Sequence, residues 1–175
     1  MHIGLALLAV LGAVAIWIWR ARMAAEAGRE AIDAADDVRA ALRRFGFRRQ
    51  AGRHPADLVD DARLAAAGMM AAIARMDGAL TVAQTNAIRV ECRASFRTSQ
   101  QDADDIAAYG RWLADQSQDP EDALRRLGAR VKKLAGEEAQ SDLILMLERV
   151  AAVENGVSKD QRIAIDQLRK RLANA

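Results

Sequence analysis

Two acidic residues, Asp77 and Glu154, occupy matching positions in two related stretches of the chain. Carboxylate oxygens are the ligands that hard divalent cations prefer. If the two stretches pack together, both carboxylates can serve one metal site, so a divalent metal ion is the candidate cofactor. The alternative is structural, because an acidic residue next to glycine at a helix junction also serves as a turn or cap acceptor.

Each acidic residue is followed by a hydroxyl side chain that lies three positions before a glutamine. The pairs are Thr81 with Gln84 and Ser158 with Gln161. This is the spacing of a capping box, in which the hydroxyl accepts a hydrogen bond from the third helical N–H and the glutamine accepts one from the cap N–H. We therefore predict that both pairs are structural caps at helix starts.

The two stretches align without gaps. GMMAAIARMDGALTVAQTNAIRV (68–90) matches LMLERVAAVENGVSKDQRIAIDQ (145–167) in chemical character. Each copy contains a glycine before the cap, Gly78 or Gly156, which permits a tight connection between two helices. We predict that each copy is a helical hairpin and that the two hairpins bury their apolar faces in one bundle.

The remaining reactive side chains do not form a catalytic set. Cys92 is the single cysteine, and the only histidines are His2 and His54, which excludes a cysteine-rich or histidine-rich zinc site. No nucleophile elbow, phosphate-binding loop, dinucleotide-binding glycine motif or paired-histidine motif occurs. We expect no enzymatic activity and no catalytic residues, and we expect Cys92 to be a packed thiol.

Apolar side chains recur at three- and four-residue spacing from residue 57 onward, as helices require. The chain is 51% hydrophobic but only 4% aromatic, and strands of β-branched and aromatic residues are nearly absent. The sequence predicts an all-α fold with a compact bundle of about six helices. Their expected bounds are 58–76, 82–97, 102–115, 120–134, 137–153 and 159–172.

The helix predicted over residues 102–115 carries two groups of interest. Asp102, Asp104 and Asp105 form an acidic helix start, which the helix dipole favours. Tyr109 and Trp112 follow on the same helix. They are either core anchors or part of an exposed partner site, and the sequence leaves both interpretations open.

Residues 3–19, IGLALLAVLGAVAIWIW, contain no charged side chain and approach the length of a membrane-spanning helix. Trp17 and Trp19 fit an interfacial aromatic belt, and Arg20 and Arg22 follow as the positive-inside rule requires. A cleaved signal peptide is the alternative, but its basic residues would precede the apolar stretch. We predict an uncleaved transmembrane anchor over 1–22, with the membrane as partner and the rest of the chain in the cytoplasm.

Residues 23–56 are predicted to form a juxtamembrane helix and an arginine-rich linker, and 57–175 the helical domain. Nine arginines and five acidic residues between Arg20 and Arg53 give that stretch a net charge of +4. The linker arginines either bind anionic lipid headgroups or are ordinary solvated charge. Because the basic residues are not concentrated on the folded part, we expect no nucleic-acid partner.

On the motifs MMAAIARMDGALTVAQTNAI and LMLERVAAVENGVSKDQRIAI, residues 57–172 resemble the TerB-like domain of tellurite-resistance proteins. The anchor followed by such a domain resembles the front part of membrane-anchored DnaJ-like co-chaperones of the DjlA type, without their J domain. The resemblance implies an all-α domain at the bacterial inner membrane, in which acidic residues of the hairpins bind a metal ion. Gln84 and Gln161 stand where the family has glutamate.

Two functions follow from these expectations. The first is a protein-interaction or scaffold module displayed at the membrane, with a protein partner that the sequence does not identify, and with a role in envelope, tellurite or metal stress. The second is a metal-ion-binding stress sensor that uses Asp77 and Glu154. The retained acids favour the sensor, and the loss of both motif glutamates favours the interaction module. A small hydrolase is a third hypothesis, and no motif supports it.

Overall fold

The structure is a computed structural model that describes residues 35–48 and 50–173. The predicted anchor, with Trp17, Trp19, Arg20 and Arg22, lies outside the described residues. None of the helices within the described ranges has the length and apolar character that crossing a membrane requires. The chain divides into two compact units, Met1–Asp37 and Val38–Ala175, and the second contains the helical domain.

The described part of the chain consists of helices, two short 3-10 turns and connections, without a strand, so the predicted all-α class is confirmed. Residues 35–44 are helical and are named α1. The 3-10 turns are Pro55–Leu58 and Arg75–Asp77. The other helices are α2 (Ala62–Ala74), α3 (Val82–Phe96), α4 (Gln100–Asp115), α5 (Pro120–Leu134), α6 (Glu137–Ala151) and α7 (Lys159–Ala173).

Most helices begin where the sequence supplies a side-chain cap. Thr81, Ser99 and Asp119 each accept a hydrogen bond from the backbone N–H three residues later, and Pro120 occupies the first turn of α5. The predicted start of the first helix of the domain at residue 58 is wrong. Residues 55–58 form a 3-10 turn, and α2 begins only after Asp61, whose carboxylate caps the Arg63 N–H.

Helix α2 runs through the middle of the helical unit and packs against α3, α4, α5, α6 and α7. Eleven consecutive residues, from Leu64 to Ala74, are buried. A helix that is apolar on every side can be covered only by a complete shell of neighbours. The alanines and the glycine of α2 keep it narrow enough for five helices to reach it.

Helices α2 and α4 approach so closely that their backbones touch. A Cβ atom added to Gly110 would lie 2.5 Å from the carbonyl carbon of Ala67 and 2.7 Å from the backbone nitrogen of Gly68. Such separations are shorter than any real Cβ contact, so glycine is required at this crossing. The crossing fixes the position of α4, which carries Tyr109 and Trp112.

Both predicted hairpins are present. Helices α2 and α3 form the first, α6 and α7 form the second, and α4 and α5 connect them. The hairpins pack on each other, since α6 contacts α2 and α3 while α7 contacts α2. The two copies of the pseudo-repeat therefore pack on each other within the unit.

Candidate functional site

The two hairpins begin their second helices with the same hydrogen-bond pattern. In the first, Gln84 N donates to Thr81 Oγ1 at 3.2 Å and Thr81 N donates to Gln84 Oε1 at 3.1 Å. In the second, Gln161 N donates to Ser158 Oγ at 3.2 Å and Ser158 N donates to Gln161 Oε1 at 3.0 Å. Both bonds of both capping boxes are thus in place.

Gln161 also joins the two hairpins. Its side chain is almost completely buried, and its Nε2 donates to the backbone carbonyl of Ile73 at 3.1 Å. That carbonyl lies in the last turn of α2, where the Arg75 N–H is shared among three carbonyl groups that include it. A carboxylate could close the capping box but has no hydrogen to donate here, which gives a physical reason for an amide at this position.

The candidate metal ligands Asp77 and Glu154 are exposed. Asp77 ends the 3-10 turn after α2, and Glu154 lies in the connection between α6 and α7. Within the described residues, no group of three or more His, Cys, Asp or Glu side chains is arranged to hold a metal ion. The two carboxylates therefore have no third acidic, histidine or cysteine ligand grouped with them there.

The predicted arginine-rich linker packs on the helical unit. We use the name docked segment for residues 41–47, which contact α4. Ala41 has no exposed surface, and Phe45 and Phe47 are partly buried against the core. The sequence marks this stretch as a linker because Gly46 and Gly52 interrupt it, and both glycines do adopt positive φ angles, +64° and +76°.

Aromatic rings hold the docked segment against α4. The Phe45 ring meets Tyr109 edge to face, with centroids 5.6 Å apart, and the Phe47 ring meets Trp112 at 4.7 Å. Phe47 also contacts Tyr109 at 6.4 Å, and Tyr109 contacts Trp112 at 5.5 Å. Each such pair contributes about 0.5–1.5 kcal/mol beyond the area it buries.

Ion pairs also hold the docked segment on α4, about one helix turn before the aromatic contacts. The Arg44 guanidinium donates to Asp105 and to Asp102. Asp105 is only 7% exposed, and its second oxygen accepts from Gln101 Nε2 at 3.4 Å. A buried carboxylate needs a charged partner to offset its lost hydration. Arg44 supplies that partner, and the hydrogen bond to Asp105 raises the pKa of the arginine.

The docking groups of α4 form one surface, which we call the α4 face: Asp102, Asp105, Tyr109 and Trp112. Their spacing of three, four and three residues places them along one side of the helix. The order from acidic to aromatic groups matches the order Arg44, Phe45, Phe47 of the segment. Of the two interpretations of Tyr109 and Trp112, the structure supports the core anchors: Tyr109 is buried, Trp112 packs against the core, and both rings contact this chain's own docked segment.

His54 closes the end of the connection that follows the docked segment. Its Nδ1 accepts from Ala56 N at 3.2 Å, so the proton is on Nε2, which donates to the Gln116 carbonyl at 3.0 Å. The ring therefore caps the 3-10 turn at 55–58 and ties it to the end of α4. Neither bond is that of a general base or a metal ligand.

Cys92 lies on α3 and has no exposed surface. Burial, followed by the charge of Glu91, raises the pKa of its thiol to about 12. Since the thiolate is the reactive form, this cysteine is inert at neutral pH. The position agrees with the packed thiol expected from the sequence.

A groove of about 710 Å³ lies between the end of α5, the start of α6 and the end of α7. Ile144 and Leu172 form part of its apolar floor, and Lys132, Glu137 and Arg169 stand at its edge. The lining contains neither histidine nor cysteine. The lining residues are those of an ordinary surface groove between helix ends.

No protein-family model, curated protein or solved structure matches this chain. Its function is therefore inferred from its own residues and contacts.

Proposed function

We propose that this chain is a single-pass protein of the bacterial inner membrane that presents a TerB-like helical domain to the cytoplasm as a protein-interaction or scaffold module, without enzymatic activity. The observation that carries the proposal is the docked segment. Arg44, Phe45 and Phe47 fasten the chain that follows the apolar stretch onto α4. These contacts support the interaction role because a helix face that carries acidic and aromatic groups can bind an extended peptide segment.

The sequence around the apolar stretch supports the membrane part of the proposal. Residues 3–19 carry no charge, and Arg20 and Arg22 follow immediately. Arginine next to one end of a short apolar span keeps that end in the cytoplasm. The helical domain would then lie on the cytoplasmic side, where its single cysteine stays reduced.

The glutamine of the second capping box, Gln161, favours the interaction role over the metal sensor. The resemblance to TerB-like domains would place a carboxylate at residue 161, but this chain has a buried amide whose donor is used by Ile73. A neutral amide is a weaker ligand for a hard cation than a carboxylate. The exposed Asp77 and Glu154, together with ordinary surface acids, then remain as charged oxygen ligands of the hairpins.

Topology reporters test the membrane part. Full-length chains carrying either green fluorescent protein or alkaline phosphatase at the C-terminus should show fluorescence without phosphatase activity. The matched variant Arg20→Ala with Arg22→Ala should lose this bias, because it removes the flanking positive charge. Phosphatase activity from the unaltered chain, or a mature N-terminus after the apolar stretch, would overturn the topology.

Co-purification tests the interaction part. Full-length protein extracted from membranes with detergent should retain a defined protein in constant ratio to the bait. A chain truncated after residue 56 keeps the anchor and linker and serves as the control that must lose this partner. Equal recovery with both baits, or no partner with either, would contradict the proposed role of the helical domain.

A further inference from the structure

The α4 face is a recognition surface for a short segment in which arginine precedes two aromatic residues. Its acidic part binds Arg44 through Asp102 and Asp105. Its aromatic part receives Phe45 and Phe47 at Tyr109 and Trp112. Every copy of the chain carries both the surface and the segment that fits it.

The docked segment lies on the outside of the unit. The Arg44 side chain is 47% exposed, and neither Phe45 nor Phe47 belongs to the fully buried core. Four of the five aromatic residues beyond residue 34 take part in this contact, whereas the interior is filled by alanine and aliphatic side chains. The contacts of Arg44, Phe45 and Phe47 are therefore peripheral to the aliphatic core, and Ala41 is the one residue of the segment that belongs to it.

The connection between the docked segment and the 3-10 turn at 55–58 is largely exposed, as an exchange between copies requires. Residues 50–53 are all exposed, and Gly52 adopts a positive φ. The hydrogen bonds of this stretch join Arg53 to Gln50 and stay within it. Six residues separate Phe47 from His54, which is tied to the end of α4, and this length spans roughly 20 Å when extended.

We propose that two copies exchange their docked segments, so that Arg44, Phe45 and Phe47 of one copy occupy the α4 face of the other. The same contacts form in the single chain and in the pair, so the contact energies nearly cancel, and exchange depends on concentration and on the connection. The inference deepens the proposed interaction role and rests on it in one respect: a shared membrane raises the local concentration of the copies.

Cross-linking between copies tests the exchange. Full-length Phe47→Cys and Trp112→Cys chains with different tags are co-expressed, extracted in detergent and oxidised. The rings lie 4.7 Å apart, so the two thiols meet only when the segment of one copy occupies the face of the other. We expect a disulfide-linked pair carrying both tags. The native Cys92 does not interfere, because it is buried.

The control acceptor is Ile163→Cys, which places an exposed thiol on α7. Its yield with Phe47→Cys measures chance collisions within a micelle. Adding Arg44→Ala to the Phe47→Cys chain should remove most of the specific product, since Asp102 and Asp105 lose their partner. A cross-copy yield no higher than that of the control pair would overturn the proposal.

A second measurement needs no substitution at the contact. Deleting residues 50–52 shortens the connection by roughly 10 Å, which hinders return to the same chain and favours exchange. The deletion variant should be dimeric by light scattering, and the further change of Phe45 and Phe47 to alanine should restore the monomer. A deletion variant that stays monomeric would contradict the exchange, while the topology and co-purification results would stand unaffected.

Discussion

A single buried amide connects the two halves of the pseudo-repeat. The capping boxes are predictable from sequence, because Thr81-x-x-Gln84 and Ser158-x-x-Gln161 carry their own spacing. The bond from Gln161 to Ile73 is not predictable in this way, since it joins residues 88 positions apart. Only the packing of α7 on α2 shows that the glutamine acts as a donor as well as a cap.

Replacing Gln161 by glutamate should destabilise the helical unit. The capping box can still close, but the Ile73 carbonyl loses its side-chain donor and a carboxylate is buried, so we expect a loss of about 1–3 kcal/mol or more in the free energy of unfolding. Burial raises the pKa of the introduced carboxyl, so the defect should shrink in acid, where the protonated group donates again. Urea denaturation at two pH values measures both effects.

The matched change is Gln84→Glu, which alters the first box in the same way. We expect a smaller loss, because Gln84 is less deeply buried than Gln161. Equal losses in the free energy of unfolding at the two positions would show that the hydrogen bond from Gln161 to Ile73 adds no stability of its own.

At the scale of elements, caps and periodicity fix most of the architecture. The starts of α3, α5, α6 and α7 agree with the sequence prediction, whereas the start of α2 does not, because apolar residues continue back into the 3-10 turn. The docked segment could not be recognised from sequence. Its glycines indicate a linker, and its binding groups on α4 lie about sixty residues further along the chain.

Acid should weaken the docking of the segment on α4. Hydrogen bonding from Ser99, together with the charge of Arg44, lowers the pKa of Asp102. A carboxyl whose folded pKa is lowered contributes stability above its unfolded pKa and loses that contribution as the pH falls through the folded value. The docked segment should therefore loosen below about pH 4, which proteolysis at the connection after Phe47 would detect.

The variant Arg44→Ala provides the comparison. It removes the charge partner of Asp102, so cleavage at neutral pH should be faster and should depend less on pH. The same pH profile for both proteins would show that the ion pairs do not hold the segment.

The crossing of α2 and α4 should tolerate no side chain at residue 110. Gly110→Ala places a methyl group against the backbone of Ala67 and Gly68, and overpacking of this kind costs about 1–3 kcal/mol, or more where backbone must shift. Thermal unfolding of the full-length chain measures the loss. Gly136→Ala is the control, since a Cβ there meets no atom within 4 Å. Similar losses for both variants would contradict the close crossing.

The composition of the whole molecule predicts its fold class but not the arrangement of its surface. A chain with 51% hydrophobic and 4% aromatic residues must fill its core mostly with alanine, methionine and aliphatic side chains, and apart from Tyr109 and Cys92 the buried hydrophobic residues are of that kind. What composition does not show is where the few aromatics lie. Four of them hold a segment on the outside of the bundle.

The two functional hypotheses differ in their response to metal ions. If the chain is an interaction module, its melting temperature in detergent should not change on adding Ca²⁺, Mg²⁺ or Zn²⁺ after chelator. A site filled at a hundred times its dissociation constant would stabilise the fold by about 2.7 kcal/mol, a shift that calorimetry detects readily. Asp77→Asn with Glu154→Gln is the matched variant. A metal-dependent shift that this variant abolishes would establish the sensor instead.

The all-round burial of α2 has a consequence for how the molecule opens. Because five helices share this one element, no subset of them can detach and leave a covered α2 behind. Amide protons of α2 should then exchange with solvent only when the entire unit unfolds, and those of α1 residues 41–44 should exchange through smaller openings. The rates of amide hydrogen exchange would then distinguish the helices around α2, which unfold together, from the docked segment, which opens more readily.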